Sequence, residues 1–289
     1  MKDLSLFMQV YMYELEQFLN QRHNEIQNVS FQSDEANTDR PLKEYIKSVI
    51  ETSFSSLPPD SSIRFLSQKG EAPIPVNDLS SITIRRVLLR EELTDRIRQE
   101  IVKSKGNAVY TDPDLCLELE ADGQITYQTI ELKSTKTDAI PGSSVQQVLP
   151  EEWVIFIQRK KGVQVVTGQY LHAVNCKLAF PDRSPRPQVS FSELLKWNQL
   201  HRKADNGECL CYTSDETEDE KMDLLQDWQG VLSHRWVTLL FEATSVKPNE
   251  PWFNNNLRKF ILEFLQRYES LSPAEQNAFK EKNEKWIKR

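Results

Sequence analysis

The strongest constraint on the fold lies in the middle of the chain. Leu115, Leu117 and Leu119 alternate with Cys116, Glu118 and Glu120. Successive side chains of a strand point to opposite faces, so this alternation marks a strand with one face in a core. Ala121-Asp122-Gly123-Gln124 follows, and Asp-Gly is a dipeptide that a two-residue hairpin turn favours. Residues 125–133 then read as the returning strand, and Trp153-Val154-Ile155-Phe156-Ile157 as a strand buried on both faces. The centre of the chain is thereby committed to a sheet.

The flanks are helical in pattern. Residues 4–26 carry Leu6, Phe7, Val10, Tyr11, Tyr13, Leu15, Phe18 and Leu19 near helical spacing. Residues 41–54 read as a second helix with Pro41 in its first turn. A third helix is expected over 81–105, capped by Asp78 or Ser80, with Ile82, Ile84, Val87, Leu88, Leu93, Ile97 and Ile101 on its apolar side. Residues 61–75 are expected to be irregular. Residues 163–166 and 170–174 add one or two strands, and 191–202 form a helix capped by Ser190 or Ser192. The acidic stretch 205–220 reads as a loop. Helices follow over 222–243, 255–270 and 273–288, the last announced by Ser272-Pro273-Ala274-Glu275. The expected fold class is α/β (α+β), a central mixed β-sheet flanked by helices. It is expected as one domain over 1–289, with its core at about 81–203 and helical elaborations at 1–56 and 221–289.

Composition narrows the partners. No apolar run approaches the roughly 20 residues that span a bilayer, and no signal peptide is read at the N-terminus. A cytoplasmic protein without a membrane partner is the expectation. Cys116, Cys176, Cys209 and Cys211 form no disulfide framework and are expected reduced. Cys209, Cys211 and His201 lack the paired spacing and the fourth ligand of a zinc site. The net charge of −7 argues against indiscriminate coating of nucleic acid. Charge is nevertheless uneven: residues 131–203 hold 11 Lys and Arg against 6 Asp and Glu, while acid gathers in 215–220. A specific polyanion-binding surface therefore remains open.

Asp114 precedes the first strand of the hairpin, and Glu131-Leu132-Lys133 ends the second. Residues i and i+2 of a strand share a face, so Glu131 and Lys133 lie together while Leu132 turns to the core. If the strands pair, Asp114 comes beside Glu131. Two carboxylates can hold Mg²⁺, which takes oxygen ligands and keeps several waters. The carbonyl of Leu132 offers a further oxygen. Lys133 stands where it can orient a water, stabilise hydroxide or counter charge on a phosphorane-like state. Together they make an apparatus for phosphodiester hydrolysis.

Pro113-Asp114 with Glu131-Leu132-Lys133 seventeen positions on from Asp114 resembles the motif of the PD-(D/E)xK nuclease superfamily, and with the size of the chain it looks like a type II restriction endonuclease. The likeness covers residues 81–174. It implies catalytic roles for Asp114, Glu131 and Lys133, and Mg²⁺ on Asp114, Glu131 and Leu132. An accessory acid from an upstream helix is implied too, with Glu100 first by position, then Glu92, and Glu91 beside it. It further implies a restriction-endonuclease-like core, cleavage of double-stranded DNA to 5′-phosphate ends, and the cytoplasm of a prokaryotic cell. A homodimer for a palindromic target and a cognate DNA methyltransferase as genetic partner complete what it implies. No Gln-x-x-x-Tyr pattern follows Gln146 or Gln147, which separates the chain from recombination exonucleases.

Candidate DNA contacts are Ser143, Ser144, Gln146, Gln147 and Lys136, since Gln suits adenine in the major groove. Arg159-Lys160-Lys161 reads as a solvated turn, and Asn254, Asn255 and Asn256 as a polar loop. Lys177, Arg183 and Arg186 fall in a proline-rich loop. His23, His172, His201 and His234 show no metal spacing. Two other readings stay open: a repair or nicking nuclease of the same fold, and a non-catalytic interaction protein with a fortuitous motif.

Overall fold

The structure, a computed structural model, describes residues 2–29, 40–57, 65–68, 74–75, 79–105, 113–141, 149–175, 188–205, 209–212, 219–242 and 252–287. In chain order the elements begin with α1 (Lys2–Gln21), α2 (His23–Asn28), α3 (Arg40–Ser53), β1 (Phe65–Gln68), β2 (Ile74–Pro75), β3 (Thr83–Leu88) and α4 (Asp95–Lys105). The central strands are β4 (Leu115–Ala121), β5 (Gln124–Thr135), β6 (Ala139–Pro141), β7 (Trp153–Arg159) and β8 (Val163–Gln169). They are followed by α5 (Tyr170–Ala173), β9 (Val174–Asn175), β10 (Gln188–Ser190), α6 (Phe191–His201), β11 (Arg202–Asp205) and β12 (Cys209–Tyr212). Three helices close the chain, α7 (Asp219–Glu242), α8 (Trp252–Glu269) and α9 (Pro273–Trp286).

The fold is mixed α/β, as the alternating pattern required. Its main sheet has the order β3-β4-β5-β7-β8. Every neighbouring pair in it is antiparallel except β5 and β7, which run parallel. Asp122 and Gly123 form the turn between β4 and β5 with φ of 50° and 75°. Two successive positive φ values match the right-handed twist of the flanking strands, which is why Asp-Gly occurs there.

The two faces of this sheet differ. Leu115, Leu117, Leu119, Ile130, Leu132, Trp153, Ile155, Ile157 and Val165 join one core with Phe7, Val10 and Tyr11 of α1 and Leu42, Ile46 and Ile50 of α3. On the opposite face Cys116 packs with Leu88 of β3 and with Ile97 and Ile101 of α4. Phe156 of β7 meets Phe191 of α6 edge to face at 5.8 Å. Helix α4 therefore covers the β3–β4 side and α6 the β7–β8 side, and the residues of β5 on this face lie between.

Four expectations are corrected. Residues 81–105 are not one helix but β3, a short 3₁₀ turn at Arg90–Glu92, and α4. The register of β3 against β4 slips between Ile84 and Arg86, so Ile84 and Val87 both enter the same core three positions apart. A bulged strand thus mimics helical spacing. The stretch 170–174 is the short helix α5 followed by β9, because the Tyr170 and Leu171 N–H groups bond to the carbonyls of Glu152 and Pro150 instead of continuing a ladder. Within 61–75, β1 pairs with β2 and, in parallel, with the distant β12, a partner no local pattern reveals. That same β12 lies within the expected loop 205–220, and Asp219 already belongs to α7.

The chain divides into two compact units, Met1–Leu178 with Arg186–Gln229, and Ala179–Pro185 with Gly230–Arg289. In the second, Phe264 and Tyr268 of α8 meet Phe279 of α9 at 5.9 and 6.0 Å. Ser272 and Glu275 form the capping box that starts α9. No described helix is long and apolar enough to cross a membrane.

Candidate active site on the central strands

The last pair of the β4–β5 ladder, Leu115 with Ile130, brings Asp114 to the position across from Glu131. Asp114 ends the ladder with its side chain: Oδ2 accepts the Leu132 N–H at 2.8 Å. In a strand the N–H and C=O of one residue point to the same side. The Leu132 carbonyl therefore faces the same edge, beyond the last residue of β4. Lys133, on the face of Glu131, donates from Nζ to Glu131 Oε2 at 2.8 Å. Asp114 and Glu131 are buried, at 6% and 3% exposure.

Sequence reading missed three neighbours. Lys43 of α3 places Nζ 2.6 Å from Asp114 Oδ1. Glu152, buried just ahead of β7, lies on the face of Glu131, because β5 and β7 pair in parallel with Ile130 opposite Trp153. Tyr170 is fully buried, its N–H bonded to the Glu152 carbonyl at 2.8 Å. Lys43 and Lys47 stand one turn apart on α3, but nothing in the local sequence ties either to Asp114. Glu152 would have stood out only to a reader who knew that β7 runs parallel to β5.

The electrostatics follow from these placements. Burial pushes the Asp114 carboxyl up, but the charges of Lys133 and Lys43, the Lys43 hydrogen bond and the Leu132 N–H outweigh it, so Asp114 lies below the ordinary aspartate value. Burial also pushes Glu131 up, and Asp114 and Glu152 push the same way, to about 7 despite the pairing with Lys133. Lys133 is raised: burial disfavours its charge, but Glu131, Tyr170 and Asp114 more than restore it. Two neighbouring buried carboxylates are thus driven apart, Asp114 held charged and Glu131 near the midpoint of its titration at neutral pH.

The remaining candidates are dispersed. Glu92 accepts Lys47 Nζ at 2.6 Å and the Leu89 N–H at 2.7 Å. Burial raises its carboxyl, but the Leu89 N–H and Lys47 bring it below the ordinary value. With Glu91, which pairs with Arg40 at 3.0 Å, it lines a polar cleft of about 410 Å³ against α3. Glu100 pairs with Lys103 at 3.0 Å on the exposed side of α4. The described contacts bring neither Glu92 nor Glu100 to Asp114 and Glu131. Lys136 is exposed just past the end of β5. Ser143, Ser144, Gln146 and Gln147, like Lys177, Arg183 and Arg186, lie outside the described residues.

Arg159 donates to the Val29 carbonyl at 2.9 Å and so has a structural bond rather than a free turn position. Asn254, Asn255 and Asn256 fall within α8, not in a loop. His172 stacks on Trp197 at 3.5 Å, and His23 bonds the Asn20 carbonyl. Among the described residues no group of three or more His, Cys, Asp or Glu side chains is arranged to hold a metal ion by itself. Comparison with known protein families, with curated proteins and with solved structures finds no match for this chain.

Proposed function

We propose that this protein is a Mg²⁺-dependent endonuclease that cuts both strands of DNA at a specific sequence, a restriction enzyme of the PD-(D/E)xK kind. The observation that supports the reading is the juxtaposition of Asp114, Glu131 and Lys133 where the β4–β5 ladder ends. The donors suit a small hard cation. Mg²⁺ needs only one or two carboxylates and keeps waters for the rest, and Asp114, Glu131 and the Leu132 carbonyl offer oxygens alone. Burial, with the charges of Asp114 and Glu152, holds Glu131 near 7, and an added cation would favour its carboxylate form.

Bound there, Mg²⁺ would polarise the phosphoryl oxygen and make the attacking water more acidic. The chain's own part begins with Lys133. Burial disfavours its charge, but Glu131, Tyr170 and Asp114 more than restore it and favour the ammonium form. The ammonium orients the attacking water and offsets charge on the phosphoryl oxygens. The water oxygen bonds to phosphorus as the P–O3′ bond breaks, the attacking water gives one proton to bulk water and the leaving O3′ takes one from it, and the products are a 5′-phosphate and a 3′-hydroxyl. One site per chain and two strands per target call for a second copy of the chain. The positive surplus of residues 131–203 supports a polyanionic substrate, and a companion methyltransferase would protect the host's own sites.

Digestion of supercoiled plasmid with and without Mg²⁺ tests the reading. Discrete linear fragments are expected with Mg²⁺ and none with chelator. Asp114→Ala and Lys133→Ala should each lower cleavage by about a thousandfold, a loss on the scale of removing one preorganised catalytic group. Full Mg²⁺-dependent cleavage by either variant overturns the proposal. Nicked circles alone would point to a nicking or repair nuclease instead.

A further inference from the structure

Two lysines serve the two acids of this site, and only Lys133 belongs to the motif. Lys43 arrives from α3. Both oxygens of Asp114 are engaged, Oδ2 by the Leu132 N–H at 2.8 Å and Oδ1 by Lys43 Nζ at 2.6 Å. A divalent cation reaching Asp114 therefore meets an ammonium already on Oδ1. Two cations on one buried carboxylate repel strongly, because little water screens them. Lys43 can yield: its side chain is 16% exposed, and α3 is anchored by other residues, Leu42, Ile46, Val49 and Ile50. The lysine stem can swing outward while those anchors stay buried.

Building on the nuclease reading above, we propose that Lys43 is the resident cation of the site. It neutralises Asp114 until a divalent cation takes Oδ1, so that cation binding and Lys43 release are a single exchange. Lys43 thereby sets the cation concentration at which the site fills, and it holds the Asp114 carboxylate in place beforehand. Lys47 provides an internal control. It lies one turn along the same helix and makes an equally short bond, 2.6 Å, but to Glu92.

Mn²⁺ titration of the full chain, followed by the paramagnetic resonance of free Mn²⁺, measures the exchange without requiring activity. Lys43→Gln, and Lys43→Met in case the first folds poorly, should tighten Mn²⁺ binding about tenfold or more, the scale on which one neighbouring charge shifts a carboxylate equilibrium. Lys43→Arg keeps the charge and should stay weak, and Lys47→Gln should match the wild type. A merely structural lysine would not tighten metal binding when removed. Unchanged or weaker binding in the Lys43 variants, or equal tightening in Lys47→Gln, overturns the assignment while leaving the nuclease reading intact. Absence of Mn²⁺ binding in every protein removes the cation site itself, and both proposals with it.

Discussion

Asp114 and Leu132 are joined across the open end of the β4–β5 hairpin by a single hydrogen bond, the Leu132 N–H to Oδ2 at 2.8 Å. The bond makes Asp114 part of the sheet as well as of the candidate site, and the two roles separate on substitution. Asp114→Asn keeps an oxygen acceptor for Leu132 but loses the charge. It should lose cation-dependent cleavage and cost less stability than Asp114→Ala, because its Nδ2 replaces only the oxygen that faces Lys43. Asp114→Ala removes the acceptor too, leaving a buried N–H and the Lys43 ammonium without it. About 1–3 kcal/mol of stability should be lost, read by thermal and urea denaturation of both variants.

Glu131 predicts a pH dependence of stability. Its carboxyl lies near 7 in the folded protein against an ordinary value of 4.5. The folded state therefore holds the proton more tightly than the unfolded chain. The stability this contributes is complete below about 4.5 and is lost as pH rises through about 7. Glu131→Gln has no such proton to lose. With chelator present, its stability relative to wild type should increase between pH 5 and pH 8 by about 2–3 kcal/mol. A difference that stays level over that range would mean that Glu131 is charged throughout.

A buried clasp ties α1 to β8 and to the residue after α6. Arg202 Nη2 lies 2.6 Å from Glu16 Oε2, the same oxygen accepts the Thr167 N–H at 2.6 Å, and Asn198 Nδ2 donates to the Thr167 carbonyl at 2.9 Å. Removing one member of a buried pair strands the other's charge. Arg202→Met should cost about 3–5 kcal/mol in urea denaturation. Adding Glu16→Gln, which keeps an acceptor for Thr167, should restore most of the loss.

Gly168 of β8 lies directly against Leu194 of α6. A Cβ at this position would stand 2.7 Å from Leu194 Cδ1. Gly168→Ala should destabilise by about 1–3 kcal/mol through overpacking. Leu194→Ala in the same chain should cost less than in the wild type, since each change relieves the other; a double-mutant cycle measures the coupling.

The hairpin, the buried strand β7 and the caps of α6 and α9 were legible because each rests on neighbours in sequence. Period-two alternation, an Asp-Gly turn, and a Ser three residues ahead of a Glu are local physics. The same locality misled at β3, where a bulge set Ile84 and Val87 three apart on one face. It misled again after β8, where bonds to the carbonyls of Pro150 and Glu152 turned an expected strand into α5. No local signal announced β1, since its parallel partner β12 comes far later in the chain.

The same division runs through the candidate site. The amino-acid sequence by itself determined that Glu131 and Lys133 share a face and that Asp114 can fold back beside them, because side-chain direction in a strand and closure by a tight turn need only adjacent residues. Only the tertiary structure decided the site's charge. It brought Lys43 from α3 onto Asp114 and set Glu152 and Tyr170 close to Glu131 and Lys133 across a parallel pairing. Electrostatic character depends on burial and on every charge within a few ångströms, and those neighbours are chosen by packing, not by position along the chain.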